Sequence, residues 1–120
     1  MCGGGQQKCS ISRQVLMAEK YYLDRFEEEY RIRVEIKTER GHVLDFIVQL
    51  ECLLGGIWYP VVRYNCAHGT PHRDVLHPDG SVQKEWYSGE EPREVLTRAI
   101  KDIKANYAFY KERFEKEWRK

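Results

Sequence analysis

The chain predicts an α+β fold: an antiparallel meander of four or five strands packed against an N-terminal helix and a long C-terminal helix. Three features carry this reading. Apolar residues alternate strictly through the middle of the chain, glycine-bearing turns separate the alternating runs, and the last quarter switches to a helical stripe.

Residues 1 to 10, "MCGGGQQKCS", read as a flexible tail, because three consecutive glycines lose much entropy on ordering and no apolar face is offered in return. Residues 11 to 120 then form a single α+β domain. From Ile11 to about Tyr30, Val15, Leu16, Tyr22, Leu23 and Phe26 recur at spacings near three, four and seven, which predicts an amphipathic helix capped by Ser10 or Ser12. "RIRVEIKT" alternates Ile32, Val34 and Ile36 against Arg31, Arg33, Glu35 and Lys37, as a half-buried strand does. A turn at "ERGH" leads to "VLDFIVQLEC", and Gly55-Gly56 turns the chain into "IWYPVVRYN", where Pro60 removes a ladder donor and favours an edge or a bulge. Cys52 reads as a small buried hydrophobe. "SVQKEWYS" is the last strand candidate. The closing helix sets Leu96, Ile100, Ile103, Tyr107, Tyr110 and Phe114 along one stripe, with Pro92 near its first turn and Ser88 and Glu91 as a capping box.

At 120 residues with 42% hydrophobic content the chain suits one core. Twenty basic and 19 acidic side chains leave a net charge of +1, so no global field draws it to nucleic acid or membrane, and any nucleic-acid contact needs a local patch. No apolar run reaches membrane-spanning length and no secretory signal is visible, which reads as a cytoplasmic chain with reduced thiols.

"YNCAHGTPHRDVLHPDG", residues 64 to 80, concentrates three of the four histidines and is the candidate site. His68, His72, Arg73 and Asp74 are the candidate catalytic residues, as proton carriers, a charge clamp and an acid. Arg63, Tyr64, His77, Glu85 and Trp86 are the candidate binding residues. Each has a plainer role open to it: His68 as a turn histidine bonding a carbonyl, Arg73 stacked on Trp86, Tyr64 as core and Asp79 as a turn former. His42 has no neighbour in sequence to work with. Gly69 and Pro71 argue against a helix through His68 and His72. If "HRDVLH" pairs with "VQKEWY", Arg73 falls opposite Trp86, His72 opposite Tyr87 and Asp74 opposite Glu85, an acid pair that needs a cation, a proton or a base. No cofactor is expected. The alternative is zinc on Cys66, His68, His72 and His77, although their spacing fits no standard finger.

"VVRYNCAHGTPHRDVLHPDG" resembles the signature of a small, functionally uncharacterised prokaryotic domain family with Arg-Tyr-Asp, Ala-His-Gly, His-Arg-Asp and His-Pro-Asp-Gly elements. The likeness runs from "VLDFIVQLE" to the last helix. "RYNCAHGTPH" is also similar to the Arg-Tyr-Asp-Asn-Ala-Pro-His-His stretch of TumE-like toxins, a resemblance that implies RNA cleavage. Asn65 stands where both patterns place Asp, which puts any ligand or base role at that position in doubt.

Three functions stay open: binding or cleaving RNA in a toxin-like manner, a noncatalytic protein-binding or regulatory domain, and a metal-stabilised structural domain. The partner is RNA or a protein, with no membrane role, and the oligomeric state is not readable. The tail carries its own test. Deleting Met1 to Ser10 should leave the melting temperature nearly unchanged in a thermal scan, and a drop of several degrees would show that the segment is part of the fold.

Overall fold

The computed structural model describes residues 17–67 and 69–118. Six strands run in chain order: β1 (Met17–Phe26), β2 (Tyr30–Glu39), β3 (His42–Leu54), β4 (Ile57–Ala67), β5 (Thr70–Leu76) and β6 (Val82–Trp86). They form one sheet in the order β1-β2-β3-β4-β5-β6, every neighbouring pair antiparallel. One long helix follows, α1 (Pro92–Trp118). The α+β meander is therefore as expected, with two corrections.

The first correction is the N-terminal helix. Residues 17–26 form β1, paired along its whole length with β2, while the tail and residues 11–16 lie outside the described residues. Tyr22 and Phe26 stand four apart, a spacing shared by a helical face and one side of a strand, so these anchors fit both periods. Leu23 separates them: in the strand it points away from the helix side and is left 43% exposed. The second correction follows from the first. With β1 added and "TPHRDVL" paired on both sides, the sheet has six strands instead of four or five.

Turn chemistry sets the sheet's pairing. Gly55 and Gly56 sit at φ +59° and +82° between the paired residues Leu54 and Ile57, the two left-handed positions that a tight hairpin with right-handed twist requires. Pro60 takes the role its missing N–H allows. Leu50 pairs with Val62 and Glu51 with Pro60, so Val61 is an extra residue in a bulge.

The core lies between the sheet and α1. Ile32 and Val34 of β2, Phe46, Val48, Leu50 and Cys52 of β3, and Val62 and Tyr64 of β4 meet Val95, Leu96, Ala99, Ile103, Tyr110 and Phe114 of the helix. Burial pushes the Cys52 thiol up to about 12, so it behaves as the small apolar side chain expected. The helix begins at Pro92, with Glu91 O accepting from the Glu94 and Val95 amides. Ser88 lies too far upstream to cap it, and proline stands at the first helical position, where its lack of an N–H costs nothing. Asn106 leaves helical geometry (φ −125°, ψ 16°) and kinks α1 one turn after Asp102.

The helix phase gives a quantitative contrast. Ile103 is fully buried and Phe109 is 62% exposed. In urea denaturation Ile103→Ala should cost about 2–5 kcal/mol and Phe109→Ala within about 0.5 kcal/mol.

Candidate functional site

Alternation along β4, β5 and β6 divides the expected site between the two faces of the sheet. Arg63, His72, Asp74 and Trp86 lie on the face that α1 leaves uncovered, whereas Tyr64, Arg73 and Glu85 share the side of the helix. His77 is also on the helix side, with Nδ1 2.6 Å from Glu117 Oε2. His68 lies outside the described residues.

The expected pairing of β5 with β6 is displaced by one residue. His72 stands opposite Trp86, Arg73 opposite Glu85 and Asp74 opposite Lys84. The turn explains the difference: His77 N–H donates to Ser81 O and Gly80 N–H to His77 O, closing a loop of Pro78, Asp79 and Gly80. Asp79 is the expected turn former, its Oδ1 accepting from the Ser81 amide. The slip removes the acid–acid conflict. Lys84 Nζ donates to Asp74 Oδ1 at 2.9 Å, and Arg73 Nη2 lies 3.6 Å from Glu85 Oε1.

Under the helix, Tyr64 Oη donates to Asp102 Oδ2 at 2.7 Å, Tyr110 Oη donates to the same oxygen, and Arg73 Nη1 donates to Tyr110 Oη at 3.2 Å. Burial first, then the bond to Asp102, holds the Tyr64 hydroxyl well above its ordinary value. Tyr87 is raised to about 12 by burial and by its bond to Glu85. At neutral pH these phenols are proton donors, and the cluster ties α1 to β4 and β5. Asp102 is absent from the candidate residues of the sequence and Tyr110 appears there only in the apolar stripe of the helix, because the polar signal was concentrated in the stretch from 64 to 80.

The open face is organised in cross-strand rows. One runs Leu23, Arg33, Gln49, Arg63, Asp74, Lys84, and the next runs Tyr21, Glu35, Ile47, Asn65, His72, Trp86. Glu51, only 4% exposed, anchors the first. It accepts from Arg31 Nε, from Arg33 Nε at 3.0 Å and from Gln49 Nε2, while the Gln49 carbonyl accepts from Arg63 Nε at 2.6 Å. Burial alone would raise the Glu51 carboxyl, but the bonds from Arg33, Arg31 and Gln49 outweigh it and hold the group below its usual range. Nη1 and Nη2 of Arg63 carry no hydrogen bond among the described residues. They border an open groove of about 520 Å³, shared with Arg33, Gln49 and Asn65 and with the carboxylates of Glu35 and Asp45.

Cations lie over aromatic rings along this face. Arg31 sits 4.3 Å and Arg25 5.3 Å from the Trp58 ring centre, Arg33 5.9 Å from Tyr21, and Lys84 5.5 Å from Trp86. His72 is beneath this layer, 3% exposed, its ring 4.5 Å from that of Trp86. Its Nε2 is 3.6 Å from Asp74 Oδ2, and Nδ1 has no partner among the described residues. Asn65 Nδ2 donates to Asp74 Oδ2 at 3.4 Å. Among the described residues no three His, Cys, Asp or Glu side chains are placed to hold a metal ion, and no helix is long and apolar enough to cross a membrane. Burial raises the Cys66 thiol, which disfavours the thiolate a zinc ligand needs. Arg31, Arg33, Gln49, Glu51 and Lys84 were missed as site residues; their signal was like-facing polar positions on successive strands.

Glu51 yields a pH test. A carboxyl whose folded pKa is depressed stabilises the fold above its ordinary value of 4.5 and loses that contribution as pH falls toward the lower folded value. Glu51→Gln should cost about 2 kcal/mol at neutral pH and flatten the acid limb of stability against pH, followed by urea denaturation at successive pH values. An unchanged acid limb would deny Glu51 this role.

Searches of the curated proteins and of the solved structures found no match, and no similarity to TumE-like toxins emerged. One family model matches residues 17–120, which takes in every described residue. Six strands, one helix and a two-faced site thus describe a member of that family: the chain belongs to the family described as Domain of unknown function (DUF7718).

Proposed function

We propose that this domain binds single-stranded RNA on the open face of its sheet, without cleaving it. The observation that carries the reading is the alternation of cations and aromatic rings, Arg33 with Tyr21, Arg25 and Arg31 with Trp58, Lys84 with Trp86, around a groove into which Arg63 presents free donors. Aromatic faces stack bases of any sequence, and guanidinium groups hold the phosphates between them. The near-neutral net charge fits as well, because the needed positive charge is local: Glu51 and Asp74 lie beneath the basic groups while the cations reach the surface.

Binding is favoured over cleavage by the position of His72. General acid–base transfer needs an imidazole within hydrogen-bond reach of the ribose or the leaving oxygen. Trp86 lies against His72, so a strand stacked on Trp86 contacts the indole and not the imidazole. His72 and Asp74 then act as positioning residues for Trp86 and Lys84.

Fluorescence anisotropy with a labelled single-stranded RNA tests this. Affinity should fall steeply with salt, and Arg63→Ala and Trp86→Ala should each weaken it by roughly tenfold or more. The RNA should be recovered intact, with or without chelator. Cleavage abolished by His72→Ala would establish the enzyme reading instead, and no RNA binding at low salt would reject both and leave a protein partner.

A further inference from the structure

We propose that two copies of this chain pair through the outer edges of their β1 strands, antiparallel and in register about Tyr22. Among the described residues β1, ten residues long, hydrogen-bonds only to β2, so its other edge presents backbone donors and acceptors. Tyr21 and Leu23 on its open side are 57% and 43% exposed.

Charge complementarity identifies the occupant. The segment reads Glu19-Lys20-Tyr21-Tyr22-Leu23-Asp24-Arg25. Laid antiparallel on itself with the two-fold axis through Tyr22, it sets Glu19 opposite Arg25 and Lys20 opposite Asp24, and symmetry repeats both pairs. Tyr21 meets Leu23, and Ala18 meets Phe26, large against small. Shifting the pairing by one residue in either direction opposes Glu19 to Asp24 or Lys20 to Arg25, and shifting it by two forms no ion pair. One register alone satisfies every charge.

Face matching agrees with that register. Directly opposed residues lie on the same side of an antiparallel sheet, and Glu19 and Arg25 share the open side while Lys20 and Asp24 share the helix side. The axis is therefore perpendicular to the sheet, and both helices lie on one side of a continuous sheet, an isologous contact. β6 offers no equivalent: it has five residues, and centring it on itself sets Lys84 against Lys84. Glu19 reaches Lys37 only at 3.7 Å with both side chains exposed, and Arg25, which lies over the Trp58 ring, spends one donor on Glu28 O and keeps others for Glu19 of the second copy. The pairing shares Tyr21 and Arg25 with the face assigned to RNA, and its test is made without RNA.

Sedimentation equilibrium of the full chain without RNA provides the test, circular dichroism confirming that each variant is folded. The wild-type chain should be dimeric at micromolar concentration. Lys20→Asp places acids opposite each other and Asp24→Lys places bases opposite each other, so each variant alone should weaken the dimer at least tenfold. An equimolar mixture of the two should form the heterodimer, and the double variant carrying both exchanges should dimerise as the wild type does. A monomeric wild-type chain would overturn the proposal, whether the edge is bare or taken by residues 1–16. A dimer indifferent to both single exchanges would overturn it too.

Discussion

One helix can cover only one face of a six-stranded sheet, and this asymmetry governs the placement of every functional group described. On the covered side apolar side chains from β2, β3 and β4 meet the stripe of α1, and polar groups there must find partners within the protein. Tyr64, Asp102, Tyr110 and Arg73 do so. On the other side the same strands carry charge into water, and Arg31, Arg33 and Arg63 are held in order by their bonds to Glu51 and Gln49. The division reaches single residues: Arg73 and Asp74 are neighbours in the chain, yet one steadies the helix and the other anchors Lys84 on the open face.

The parts of this architecture that depend on local period were legible in the chain. "RIRVEIKT" and "VLDFIVQLEC" alternate because one side is apolar, and α1 shows its stripe for the same reason. The N-terminal helix was misread because Tyr22 and Phe26 satisfy two periods, and only the presence of β2 as a hydrogen-bonding neighbour decides between them. Local pattern cannot supply a neighbour. The candidate site was legible in part: Arg63, His72, Asp74 and Trp86 do share a face, but Arg73, Tyr64, Glu85 and His77 were grouped with them by proximity in sequence, which alternation overrides.

The slip between β5 and β6 shows how much rests on a turn of three residues. Counting a pairing one residue out turned two well-matched ion pairs into an apparent clash of acids, and the clash then looked like a reason to seek a metal or a perturbed proton. With Pro78, Asp79 and Gly80 in the loop, Asp74 meets Lys84 and Glu85 meets Arg73. Charge neutrality is thus a property of the pairing before it is a property of any site. It also sets Lys84 beside Asp74, against which His72 lies together with Trp86.

The bulge at Val61 changes the frame in which β4 is read. Before it, Ile57 and Tyr59 face the helix and Trp58 and Pro60 face outward; after it, Val62 and Tyr64 face the helix and Arg63 and Asn65 face outward. Both kinds of odd-numbered position occur within one continuous strand. Trp58 and Arg63 can therefore serve the same surface although they stand an odd five positions apart. An alignment with a strand that lacks the bulge must leave a gap at Val61, since without it every residue on one side of that point is matched to a residue of the opposite face. Substitution and deletion are consequently different kinds of change here: exchanging Val61 for another apolar residue alters packing at one place, whereas removing it would restore a regular ladder in which Pro60 and Val62 keep their partners Glu51 and Leu50 and every side chain keeps its side.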